Sequence, residues 1–236
     1  NEFDLGLFIY IVKRSLIWIA MCLLLSFGAA YLYLRYTAPT YASNVVLQLG
    51  QTNNAQAVLK MNTIVEDNSL QADVQLLSSK FLIAKAVAKL PLTVRYFFRG
   101  QILTEEYYKQ SFFRVNDLHI LDASIQGRPI SIELSDDGTL RIEYSIGQEN
   151  FTLPVVLGRP FSTPHFSAII NTLGSRPWPK GQERGTLYFT LNSPTALTDQ
   201  YVSQLTVSIA DPDAKTVAIG CKDNNPMLAK DLCQAM

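Results

Sequence analysis

The sequence predicts an α+β chain: one N-terminal transmembrane helix, then a mixed, mainly antiparallel α+β domain. Three observations carry this prediction. Ser15 to Leu34 (SLIWIAMCLLLSFGAAYLYL) is an uncharged apolar run, bracketed by Lys13 and Arg14 on one side and Arg35 on the other. From Tyr41 onward, several short segments alternate apolar and polar residues with a period of two, as half-buried strands do. Between them lie segments whose apolar residues recur every three or four positions, as on one face of a helix.

The apolar run is taken first. A helix rises about 1.5 Å per residue, so this run reaches about 30 Å, the thickness of a bilayer's hydrocarbon core. A helix of Leu, Ile, Ala and Met satisfies its own backbone hydrogen bonds there. Trp18 near one end, and Tyr31, Tyr33 and Tyr36 near the other, stand where amphipathic rings anchor at an interface. A buried core helix and the apolar part of a signal peptide are the alternatives. The first is rarely apolar on every face for five turns, and the second has a shorter run before a small-residue cleavage site. Here the run continues past Ala29-Ala30 to Leu34.

Residues 1–14 read as a short apolar helix at the cytoplasmic surface, residues 15–36 as the span and residues 37–236 as the folded domain. Lys13 and Arg14 against Arg35 give a weak positive-inside bias that places the N-terminus in the cytoplasm. The first residue is Asn, and the last residues read as the start of a helix, so both ends are expected to be cut. Gly28-Ala29-Ala30 supplies small residues that could let spans approach each other, although ordinary span composition accounts for them slightly better.

Pro39 ends the first helix, since it cannot continue the ladder. Tyr41, Ser43, Val45, Leu47 and Leu49 then form one face of a strand. Gln51 to Asn68 is polar and reads as a loop, with a short helix near Ala55–Lys60. Ser69 caps a long amphipathic helix whose stripe is Leu70, Val74, Leu77, Phe81, Ala84 and Val87, closed by Leu90-Pro91. A second strand follows through Leu92, Val94, Tyr96 and Phe98. Thr104-Glu-Glu-Tyr-Tyr has capping character and predicts a helical turn. Arg128 to Tyr144 is a hairpin turning at Asp136-Asp137-Gly138, and Phe151 to Val156 adds an edge strand. Ser175–Gly185 is a loop. Thr186 to Leu191 is a strand, Ser193-Pro194 starts a helix, and two strands follow through Leu205–Ile209 and Val217–Cys221. Asn225-Pro226 opens a final helix with Leu228, Leu232 and Met236 on one stripe.

The function classes that composition excludes are clear. The chain carries 20 basic and 20 acidic side chains, and no basic tract offers a phosphate-neutralising surface, so nucleic-acid binding is not expected. No phosphate-cradling GxxxxGK[ST], GxSxG, HExxH or EF-hand pattern occurs, so no catalytic, cofactor or metal residue is assigned. His119 and His165 stand isolated among apolar neighbours and default to structural or surface roles. Glu105-Glu106 fits a helix start, where acids favour the dipole, and Asp136-Asp137 fits a turn. Tyr107-Tyr108 would be a phosphorylation site only within reach of ATP. Asn150-Phe151-Thr152 matches a glycosylation acceptor, a pattern short enough to arise by chance. Three cysteines are present. Cys221 and Cys233 either form a disulfide in an oxidising compartment or stay as two buried thiols.

Several segments resemble the Wzz-type polysaccharide chain-length determinants. They are Asp4-Leu5 through Lys13-Arg14, the span, and Pro39-x-Tyr41-x-Ser43 leading into a strand. Val74–Lys80 with Ala84-x-Ala86-Val87-x-x-Leu90 resembles the first periplasmic helix of that family. Asp223-Asn-Asn225-Pro226-x-x-Ala229-x-x-Leu232 is similar to the point where a strand hands over to its long helix. Gly100-x-Ile102-x-Thr104, Tyr108-Lys109 and Leu191-Asn-Ser193-Pro194 resemble the tyrosine-kinase (Wzc-like) branch more closely. The resemblance implies an inner-membrane polysaccharide co-polymerase of capsular or exopolysaccharide, ring-forming, with residues 37–236 in the periplasm and the polymerase and export machinery as partners. It further implies truncation at the start of a long helix, before a second span. ATP and magnesium enter only if a cytoplasmic kinase domain follows; no cofactor belongs to this piece. The rival reading is a ligand-sensing extracytoplasmic domain of a signalling receptor. A secretion or efflux adaptor would need duplicated lipoyl-like halves, which are not seen.

Overall fold

The computed structural model describes residues 5–49, 65–135, 139–173 and 185–236. The chain divides into two units, one ending at Ala38 and the other beginning at Pro39.

The first unit is a helix, α1 (Leu5–Tyr36). Its Lys13–Tyr36 portion is the one helix among the described residues long and apolar enough to cross a membrane. Large apolar side chains along it, Ile17, Leu24 and Phe27 among them, are exposed. At the C-terminal end Arg35 Nη1 donates to Tyr31 Oη at 3.0 Å, one turn away.

The second unit holds three antiparallel sheets, four α-helices and one 3-10 turn (Ala123–Ile125) among its described residues. In chain order these are β1 (Tyr41–Gln48), α2 (Val65–Leu77), α3 (Lys80–Ala88), β2 (Val94–Arg99), β3 (Thr104–Glu106), β4 (Phe113–Ile120) and β5 (Pro129–Leu134). Then follow β6 (Thr139–Ile146), β7 (Glu149–Val156), β8 (Pro160–Ser162), β9 (Phe166–Thr172), β10 (Thr186–Leu191), α4 (Pro194–Gln204), β11 (Leu205–Asp211), β12 (Thr216–Asp223) and α5 (Pro226–Ala235). The sheets run in the orders β1-β12-β11, β3-β2-β10-β5-β6-β7 and β4-β9-β8. The predicted α+β class and the dominance of antiparallel pairing hold.

Two cores result. The larger joins the six-stranded sheet to the β4-β9-β8 sheet through Phe113, Ile132, Ile142, Phe166, Phe189 and their neighbours. Phe189 meets Phe113 and Phe166 edge to face, with centroids at 6.0 and 6.3 Å, the arrangement ring quadrupoles favour. The smaller core lies between the β1-β12-β11 sheet and the helices, with Ile83, Val87, Leu197, Tyr201, Ile219, Leu228 and Leu232 at its centre. Where β10 begins against β2, Gly185 has φ +138°, and a Cβ there would overlap the Arg99 carbonyl, so only glycine fits.

Local chemistry explains the elements that match expectation. Ser193 Oγ accepts from Ala196 N–H at 3.1 Å, and Pro194 takes the first helical position of α4. β7 is an edge strand, as its position after the hairpin predicts.

Three expectations need correction. The helix over residues 69–90 is two helices, α2 and α3, separated at Ser78–Ser79. Ser69 lies inside α2 and is not its cap. Ser79 caps α3 instead, accepting from Leu82 N–H at 3.3 Å, while Ser78 Oγ donates back to the Val74 carbonyl and competes with helix continuation. The break rotates the stripe, so Phe81 is 70% exposed and Ile83, Ala86 and Val87 are buried. Residues 65–68, read as loop, belong to α2. Thr104–Glu106 is a strand on the edge of β2, not a helical turn. The suggested helix at Ala55–Lys60, the Asp136–Gly138 turn and most of the Ser175–Gly185 loop lie outside the described residues.

Candidate functional site at the strand to helix junction

The residues singled out from sequence fall into two sets. Lys13, Arg14, Trp18, Arg35 and Tyr36 lie along α1. Pro39, Tyr41, Ser43, Asp223, Asn225, Pro226, Ala229 and Leu232 belong to the second unit, and there the structure brings the early and late members together. β1 pairs antiparallel with β12 so that Tyr41 stands opposite Asp223 and Ser43 opposite Cys221. The strand that follows Pro39 and the strand that hands over to α5 therefore share one end of one sheet.

Helix α5 starts there for a local reason. Asp223 Oδ1 accepts from Asn225 N–H at 2.8 Å and fixes the turn. Asn225 Oδ1 then accepts from the N–H groups of Met227 and Leu228 at 3.0 and 3.2 Å, satisfying two orphan donors of the first turn, and Pro226 needs none. Leu228, Ala229 and Leu232 are buried against β1 and β12. The Cys221–Cys233 disulfide closes the helix onto its own strand, with Cα atoms 5.8 Å apart, settling the two alternatives left by the sequence.

Polar contacts fasten the other side of α5 to the β2-β3 edge. Asn225 Nδ2 donates to the Glu106 carbonyl at 2.8 Å. Asp231 accepts from Tyr108 Oη at 3.0 Å and forms an ion pair with Lys109. Lys109 has φ +59°, a left-handed backbone that a long side chain seldom adopts. That turn sends two consecutive side chains to one carboxylate.

Behind this latch lies a buried charge cluster. Arg95 on β2 grips Glu106 on β3 with both arms of its fork, Nε to Oε1 at 2.8 Å and Nη2 to Oε2 at 2.5 Å, and Nη1 donates to Gln200 of α4 at 3.1 Å. Burial opposes the guanidinium charge, but the bonds and field of Glu106 outweigh it and push Arg95 upward. Burial pushes the Tyr201 hydroxyl up, and so do Asp223 and Glu106, while Arg95 opposes them. The Tyr108 hydroxyl is raised by burial and by its bond to Asp231, and Tyr108 is only 5% exposed, so it is no accessible phosphate acceptor. The bond from Lys109 holds Asp231 below the usual carboxylate range.

Asp223 is shifted the other way. Burial raises it, the Asn225 N–H pulls it back, and the charge of Glu106 pushes it further up. A carboxyl that holds its proton more tightly in the fold than in the unfolded chain stabilises most below the unfolded value of about 3.9. Stability is lost as pH rises through the folded value. Asp223→Asn keeps an acceptor for Asn225 and removes the charge. It is expected to raise the melting temperature modestly at pH 7 and to leave it unchanged near pH 3, read by thermal melting at both values.

Sequence reasoning missed Arg95, Glu106, Tyr108, Lys109, Asp231 and Gln200 as one constellation. One signal was present: Arg95, set between Val94 and the aromatic run Tyr96-Phe97-Phe98 of the strand VRYFFR, requires a partner where the strand is buried. His165 has its expected structural role, with Nδ1 3.0 Å from Tyr144 Oη and its ring edge-on to Phe151. The side chains described at this junction position a helix.

Comparison with known proteins agrees with the motifs. Residues 1–90, through β1, α2 and α3, match the family Wzz, chain length determinant protein. A tyrosine-protein kinase, ptk, from Acinetobacter johnsonii is 28% identical over 102 residues, covering 40% of this chain and 14% of the relative. The chain thus spans a small part of the relative's length.

Proposed function

We propose that this chain is the N-terminal part of a bacterial inner-membrane polysaccharide co-polymerase that governs the length and export of capsular or exopolysaccharide. The match of residues 1–90 to chain length determinants carries this reading. The fold supports its extension beyond that segment, because β1, inside the match, pairs along its whole length with β12, outside it. A span from Lys13 to Tyr36 would anchor the protein beside the polymerase. The Cys221–Cys233 disulfide suits an oxidising compartment, which favours residues 37–236 in the periplasm with Lys13 and Arg14 on the cytoplasmic side.

The mechanism is one of geometry. α5 offers a surface for neighbouring copies in a ring, and its direction is set by Asn225, Asp231 and the disulfide. The angle between copies then sets the size of the assembly and, through it, the length at which the polymer is released. The kinase relative favours a kinase-type protein, in which a cytoplasmic domain would bring ATP and magnesium.

Deleting the gene and resolving the polymer by gel electrophoresis tests this. The expected result is a loss of the normal length distribution, restored by a plasmid copy, with the full-length protein migrating as an oligomer in detergent. Unchanged polymer lengths together with a monomeric protein would overturn the proposal.

A further inference from the structure

A cleft of about 380 Å³ opens between β2, the turn after β3 and the start of β4. Its volume lies within the range of small-molecule sites, about 300–1,000 Å³, and is roomier than a bare inorganic anion needs. Three cationic side chains line it, Arg95, Lys109 and Arg114, against one carboxylate, Glu106. Arg95 and Glu106 neutralise each other through their two-armed contact. Lys109 gives one donor to Asp231 and has two more. Arg114 on β4 is exposed and has no ion-pair partner among the described residues. Its guanidinium carries five donors in a planar fork suited to a carboxylate. Tyr107, half-buried, adds aromatic surface to the same wall.

We propose that this cleft binds an anionic sugar residue, with the Arg114 guanidinium and the Lys109 ammonium holding its carboxylate and Tyr107 covering its apolar face. The geometry points to an anion with an apolar body; its assignment as a sugar rests on the proposed function above. The left-handed backbone at Lys109 fixes one of the two cations at the rim, where backbone strain often marks a ligand clamp. Because Lys109 also fastens Asp231 of α5, a bound anion draws on the same ammonium that helps orient the helix. Occupancy of the cleft is thereby coupled to the junction.

The test is binding to the purified full-length protein in detergent, by calorimetry at low and moderate salt. The probes are a hyaluronan tetrasaccharide carrying glucuronate, neutral maltotetraose, and inorganic phosphate. The glucuronate probe is expected to bind in a salt-sensitive manner, with maltotetraose and phosphate at least about tenfold weaker. Arg114→Gln is expected to weaken it by roughly tenfold, the effect of removing one charge-assisted contact, with an unchanged melting temperature. Lys109→Gln is expected to weaken it severalfold. The inference is overturned if the glucuronate probe does not bind or if Arg114→Gln leaves its affinity unchanged. It is also overturned if phosphate or maltotetraose binds as well as the glucuronate probe. Binding is read without reference to polymer length, so this result and the deletion phenotype can fail separately.

Discussion

Arg95→Met is expected to cost the domain about 3–5 kcal/mol, the usual consequence of removing one partner from a buried ion pair. The Glu106 side chain is only 8% exposed, and in the variant its carboxylate loses both arms of the guanidinium fork. Asp223 lies near enough to be raised by Glu106, so the variant also leaves two carboxyls repelling each other without their shared cation. Gln200 loses its partner as well, loosening α4 from β2. In a domain of about 200 residues such a loss lowers the melting temperature by roughly 10 °C. Glu106→Leu alone strands the guanidinium and is expected to be comparably damaging. Arg95→Met/Glu106→Leu removes both charges, and is expected to recover most of the loss. Thermal melting of the four proteins in a double-mutant cycle measures the coupling. Additive single effects would show that the pair does not hold β2 to β3.

The second large effect is expected at the disulfide. Cys221 and Cys233 are 12 residues apart, and opening a loop of this size releases chain entropy worth about 3 kcal/mol in the unfolded state. Both residues are buried beside Leu228, Leu232 and Ile219, so the loosened ends cannot hydrate without disturbing the smaller core. Cys221→Ala/Cys233→Ala is expected to melt lower by several degrees. A reductant is expected to shift the native protein to the same value and leave the variant where it is. If reductant shifts both equally, or neither, the bond does not stabilise the helix. The helix cap at Asn225 is local and survives reduction, so the loss should appear at the C-terminal end of α5, as faster hydrogen exchange there than at its first turn.

What the sequence made legible follows from the distance over which each feature is determined. The starts of α4 and α5 are written in adjacent residues, Ser193-Pro194 and Asn225-Pro226, and both appear where those residues place them. β10 and β12 are simple alternations and are equally plain. β4 escaped notice because its alternation is broken. Asp117 takes φ +49°, and the register with β9 shifts between Asn116 and His119, so apolar residues on either side of the bulge do not share a period. The break between α2 and α3 was hidden because Leu77, Phe81 and Ala84 continue a helical spacing straight through it. Only the competition of Ser78 and Ser79 for backbone groups reveals the stop. Thr104–Glu106 has the residues of a helix start and becomes a strand because β2 offers it an edge.

The candidate site was less legible for a related reason. The membership of Asp223, Asn225, Ala229 and Leu232 could be read because they are close in sequence. Their partners could not, since Tyr108 and Lys109 reach Asp231 across more than 120 residues of sequence. Arg95 and Glu106 are nearer neighbours, but their pairing depends on β3 being a strand, which the sequence did not disclose.

The register of β1 with β12 bears on how the protein is made. Every residue from Tyr41 to Gln48 waits for a partner between Thr216 and Asp223, so this ladder closes only when nearly the entire domain has left the ribosome. At 5–20 residues per second that interval is roughly 10–30 s. The larger core lies wholly between these strands in sequence and can collapse first. The nascent chain thus carries an unpaired strand just beyond α1 throughout the domain's synthesis. The Tyr41–Asp223 end is completed last, so β1 is the strand of this fold that stays longest without its partner.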